Sequence, residues 1–124
     1  MVCGIGIDII EIDRIKEAIK RESFVHRVFT VSEQKYCNSR GAQCAASYAA
    51  RFAGKEAVMK ALGTGLAGGS WQDIEILSDA TGRPFVELSG NFAILAEQLG
   101  VTQVYISLTH AREYAAAQVV LTQT

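Results

Sequence analysis

The sequence has no surplus of charge: 12 basic and 13 acidic residues leave a formal net charge of −1. This excludes the basic footprint of a whole domain devoted to nucleic acid, while leaving room for a small basic patch that net charge hides. It also lacks a paired cysteine framework. Cys3, Cys37 and Cys44 are odd in number and none stands at CxxC spacing, which argues against a disulfide scaffold, a zinc knuckle or a redox dithiol. The thiols read as those of a reducing compartment. There is no apolar run of the roughly 18 residues that cross a bilayer. The opening stretch is apolar, but it carries Asp8, Glu11 and Asp13 and has no basic leader or clear cleavage site. We therefore expect it to belong to the mature fold of a cytoplasmic protein with no membrane partner. Charged residues, at 20%, fall below the usual share of about 25%, which hints at a surface covered by another subunit.

What is present suffices for a core. A chain of 124 residues is long enough for one domain that needs no staple of disulfide or metal. Residues 2–10 read as a strand, with Ile5, Ile7 and Ile9 on one face and Gly6, Asp8 and Ile10 on the other. Asp13 is placed to cap a helix running to about Lys20. Thr30 or Ser32 is placed to cap a short helix over about 32–37. The alanine-rich stretch from Cys44 to Leu62 reads as one long helix stopped by Gly63-Thr64-Gly65. Beyond it, 71–77 and 84–88 read as strands around a turn at Asp79–Gly82. Residues 91–99 read as a helix ended by Gly100, and 104–109 and 114–121 as a final pair of strands. With no linker or repeat, 1–124 is expected to be a single α+β domain, an antiparallel sheet against one long helix and shorter helices.

Four features carry possible chemistry. Asp8 interrupts an apolar strand, which is costly for a carboxylate unless it is paired, hydrogen-bonded or metal-bound; a wet sheet face or a local turn would equally explain it. On the long helix Phe52, Glu56 and Lys60 follow at steps of four, as do Arg51 and Lys55; an ordinary surface pair is the plainer explanation of Glu56 and Lys60. Gly63-Thr64-Gly65 offers amides to an anion, but from a helix C-terminus, where the dipole opposes one. His110 closes a strand and titrates near neutrality. No nucleophile–base set is visible, and the pattern matches neither a P-loop nor a dinucleotide fingerprint. Two separated carboxylates with Lys, Arg and His fit metal-assisted phosphoryl-type transfer better.

Taken in order, Gly6-Ile7-Asp8-Ile9-Ile10-Glu11-Ile12-Asp13-Arg14 and the run from Arg51-Phe52-Ala53-Gly54-Lys55-Glu56 to Gly63-Thr64-Gly65 resemble the holo-acyl-carrier-protein synthase family of 4′-phosphopantetheinyl transferases. Asp73-Ile74-Glu75-Ile76, Gly82-Arg83-Pro84 and the ending Ser107-Leu108-Thr109-His110 with Glu113-Tyr114-Ala115 extend the resemblance over nearly the whole chain. It implies the fold of those transferases and transfer of phosphopantetheine from coenzyme A to a serine of an acyl carrier protein. It further implies Mg2+ held by Asp8 and Glu56, with Lys60 beside them. Arg51, Gly63, Pro84 and His110 become expected contacts of coenzyme A, and Arg14, Lys20 and Arg21 the expected dock for the acidic carrier. A homotrimer with active sites at its interfaces is expected, and Met59 at the edge of the nucleotide pocket. The competing class is a non-catalytic coenzyme A or nucleotide-binding module, which would not need Asp8 and Glu56 together.

Overall fold

The computed structural model describes residues 1–66 and 68–124. Along the chain run β1 (Val2–Glu11), α1 (Ile12–Ala18), α2 (Glu22–Val28), α3 (Val31–Asn38) and α4 (Cys44–Leu62). They are followed by β2 (Ile74–Ser78), β3 (Pro84–Leu88), α5 (Gly90–Gln98), β4 (Gln103–His110) and β5 (Tyr114–Thr122). The α+β class, with antiparallel strands packed on one long helix, is as expected. The strands divide into two sheets, β1-β5-β4 and the hairpin β2-β3.

The path of α4 follows from small residues. Helix α4 buries Ala46, Ala49, Ala53 and Ala57 against the sheet, and β1 meets it with glycine. A Cβ on Gly4 would come within 2.5 Å of the Ala61 carbonyl oxygen, and one on Gly6 would overlap the Ala57 carbonyl and lie 2.9 Å from the Ala61 nitrogen. Only glycine lets helix and strand approach this closely. The helix ends where Gly63 takes a left-handed φ of 81°, a conformation that costs glycine nothing.

The sheet has two unlike faces. Gly6, Asp8 and Ile10 pair with Val119, Ala117 and Ala115 of β5 on the side covered by α4. The opposite side carries Ile5, Ile7 and Ile9, which are 69%, 66% and 66% exposed. Their partners on β5 are Val120, Gln118 and Ala116. Tyr105, opposite Val120 on β4, is half exposed.

Several local expectations are corrected. Asp13 does not cap α1; the strand runs straight into the helix, whose Ile12 N–H donates to the Glu113 carbonyl at 2.9 Å. Helix α2 was not anticipated, since seven residues with only Phe24 and Val28 buried make too short a period to read. Residues 71–73 form a 3₁₀ turn rather than the start of a strand, because the Ser70 hydroxyl accepts from the Gln72 N–H and the Asp73 carboxylate from the Ser70 N–H. Between the two candidate caps of α3, Thr30 holds the position, in a reciprocal box with Glu33. Met59, expected at the edge of the nucleotide pocket, lies in the core of the chain, 4% exposed.

Candidate active site

Helix periodicity sends the polar residues of α4 to two sides. Residues four apart stack on one face, so Glu56 and Lys60 point one way and Arg51 and Lys55 another.

On the first side Lys60 Nζ lies 2.8 Å from Asp8 Oδ1 and donates to the Ile7 carbonyl at 3.0 Å. The Asp8 side chain is 15% exposed and that of Lys60 54%. The expected Glu56–Lys60 pair along the helix is therefore replaced by a bridge from helix to strand, within one chain. Glu56 joins no ion pair among the described residues. Burial pushes its carboxyl above the usual value, and the nearby negative charge of Asp8 pushes it further; Lys60 and Arg14 pull in the opposite direction. Hydrogen bonding to Asp8 in turn holds the Lys60 ammonium above its ordinary value.

Among the described residues no group of three or more His, Cys, Asp or Glu side chains is placed to hold a metal, so a closed protein cage is absent. Mg2+ does not require one: it keeps water and takes one or two carboxylates together with substrate phosphates. Asp8 and Glu56, two carboxylates close enough that the charge of Asp8 raises the cost of charging Glu56, fit that demand.

On the second side Arg51 and His110 line a cleft of about 160 Å3 with Tyr36, Arg40, Ser78 and Pro84. None of its lining residues is acidic. Arg51 is only 4% exposed; its Nη2 donates to Ser78 Oγ at 3.0 Å, and its buried Nε has no partner among the described residues. An unsatisfied, buried cationic donor in a cleft without carboxylates suits an anion. Of the four residues expected around coenzyme A, Arg51, Pro84 and His110 thus share one cleft. Gly63 does not; it caps the far end of α4, about 18 Å from Arg51 along the axis at helical rise. Asp8, Glu56 and Lys60 are also outside the walls of this cleft.

Arg14, Lys20 and Arg21 rim a separate cleft of about 520 Å3, floored by Ile15, Phe24 and Phe52. Lys20 also pairs with Glu17 at 2.9 Å. Phe52 stacks on Trp71, with ring centroids 5.1 Å apart, so the aromatic that precedes Glu56 by one turn is held from behind.

Sequence reasoning missed the ion pair of Lys55 with Glu33, 2.9 Å apart with both side chains fully buried. Lys55 also donates to the carbonyls of Trp71 and Ile74, and Glu33 accepts from the backbone N–H groups of Thr30 and Ile76. The four-residue spacing of Arg51 and Lys55 was the visible signal, but their partners lie on other elements.

The profile of the 4′-phosphopantetheinyl transferase superfamily matches residues 4–119. A holo-acyl-carrier-protein synthase of Alkaliphilus oremlandii is 46% identical over 121 residues, covering 97% of this chain and 98% of that protein. The crystal structure of the Neisseria meningitidis holo-acyl-carrier-protein synthase superposes with a TM-score of 0.89 at 32% identity, covering 99% of this chain and all of that one. The Helicobacter pylori enzyme, solved in complex with coenzyme A, gives 0.83 at 32% identity, covering 95% and 99%. The chain belongs to the 4′-phosphopantetheinyl transferase superfamily and is an enzyme of that family.

Proposed function

We propose that the chain, as one transferase domain over 1–124, moves the 4′-phosphopantetheine group of coenzyme A onto a serine of an apo acyl carrier protein and releases 3′,5′-ADP. The observation that carries this reading is the half-buried pair Asp8 and Glu56 beside Lys60, in a chain similar over its length to holo-acyl-carrier-protein synthases. A module that merely bound coenzyme A would have no use for a second carboxylate placed where Asp8 disfavours its charge.

Asp8 and Glu56 would hold Mg2+. Bound there, it would neutralise pyrophosphate oxygens. The serine oxygen forms a bond to the phosphorus that bears pantetheine, and the bond from that phosphorus to the 3′,5′-ADP oxygen breaks. The serine proton passes to a carboxylate oxygen of Glu56. Lys60 offsets the negative charge gathered on the transferring group. The donor's anionic end is assigned to the cleft of Arg51, Pro84 and His110, whose acid-free walls support that choice. The basic rim of Arg14, Lys20 and Arg21 is assigned to the acidic carrier, for which Coulomb steering speeds encounter.

Separation of the carboxylate pair from the Arg51 cleft supports an active site completed by a second copy, with Gly63 of one subunit brought to the coenzyme cleft of the next. The uncovered apolar face of Ile5, Ile7 and Ile9 supports self-association, and we assign a homotrimer. Its free cysteines suit a reducing cytoplasm, and no described helix is long and apolar enough to cross a membrane. The test is transfer to apo carrier by the wild type, by Asp8→Ala and by Glu56→Ala. Loss of transfer in both folded variants is expected; full activity in both would overturn the assignment.

A further inference from the structure

We infer that Tyr36 is a positioning residue that sets the direction of Arg51 in the coenzyme cleft. This rests on the reading of that cleft given above. The Arg51 guanidinium lies 4.1 Å from the centroid of the Tyr36 ring, well inside the range in which a cation is held by an aromatic face. With Ser78 accepting from Nη2, the ring is the second restraint on a side chain with four rotatable bonds, and Nε has no partner among the described residues. Tyr36 is itself fixed from below. Helix α3 runs against α4 with Glu33 on Lys55, Tyr36 on Arg51 and Asn38 accepting from the Tyr48 hydroxyl at 2.9 Å. Moving up one helix means moving down the other, so the buried ion pair fixes the register that stacks the ring on the guanidinium. The contact requires the ring and not the hydroxyl, which makes no hydrogen bond among the described residues.

The experiment is steady-state transfer with varied coenzyme A, using Tyr36→Phe and Tyr36→Leu, together with calorimetric binding of 3′,5′-ADP. Leucine keeps apolar bulk but removes the aromatic face. Tyr36→Leu is expected to raise KM for coenzyme A and Kd for 3′,5′-ADP by about three- to tenfold. Its kcat should change by less than about twofold, as expected for loss of binding common to ground and transition states. Tyr36→Phe, which keeps the ring, should raise KM and Kd less than Tyr36→Leu does. Wild-type KM in a folded Tyr36→Leu, or an equal loss in Tyr36→Phe, would overturn the role of the ring while leaving the reading of the cleft intact. A wild type that transfers the group yet shows no binding of 3′,5′-ADP would overturn the cleft assignment and this inference with it. If Tyr36→Leu fails to fold, Tyr36→Met supplies the same comparison.

Discussion

Glu56 is held in a state that costs the fold. Its carboxyl has the ordinary value of 4.5 in an unfolded chain and a raised one here, through burial and then Asp8. Below 4.5 both states carry the proton and there is no contribution. As pH rises from 4.5 through the raised value, the unfolded chain gives up its proton first, so stability falls; above that window the penalty is complete. In magnesium-free buffer, Glu56→Gln should therefore melt higher than the wild type at pH 7.5, with the gap closing at pH 4. Equal melting temperatures at pH 7.5 would contradict this. The gain in stability should accompany loss of transfer, as is common where a site is built for chemistry rather than stability. Asp8, Glu56 and Lys60 were legible as residues because a carboxylate on an apolar strand and a step-of-four pair stand out locally. That Lys60 answers Asp8 instead of Glu56 was not, since it depends on how closely the glycines of β1 admit α4.

At the scale of elements, α3, α4 and β2 are joined by one buried pair. Burial pushes Lys55 down, while Glu33 pulls it back up, and both remain matched by hydrogen bonds to the backbone. Removing one partner leaves the other charge buried alone. Lys55→Met should lower stability by about 3–5 kcal/mol, read from urea unfolding; a loss under about 1 kcal/mol would mean that the pair is not the clamp inferred from its burial. The limits of α4 were legible because Gly63 interrupts a long alanine-rich period. Helix α2 was too short for its period, and the Ser70–Asp73 cap turned what looked like strand into a 3₁₀ turn. The role of Lys55 was invisible because its partners are supplied by other elements.

At the scale of the molecule, alternation along β1 sorted its residues between two faces but did not say which one α4 would cover, nor that β5 would lie between β1 and β4. Strand order is decided by distant pairing, which local pattern does not encode. The face left bare carries Ile5, Ile7 and Ile9. If the proposed trimer forms through this face, a charge there should disperse it without touching the carboxylate side: Ile5→Asp is expected to sediment as a monomer and to lose transfer, and the wild type to sediment as a trimer. A monomeric, fully active wild type would refute the proposed interfacial site.

The most direct test of the central claim is the intact mass of an apo acyl carrier protein after incubation with coenzyme A and this enzyme, with and without magnesium. We expect the carrier to gain the mass of one phosphopantetheine group, only with magnesium, and only with Asp8 and Glu56 in place. An unmodified carrier, with a proven transferase modifying the same preparation, would contradict the account.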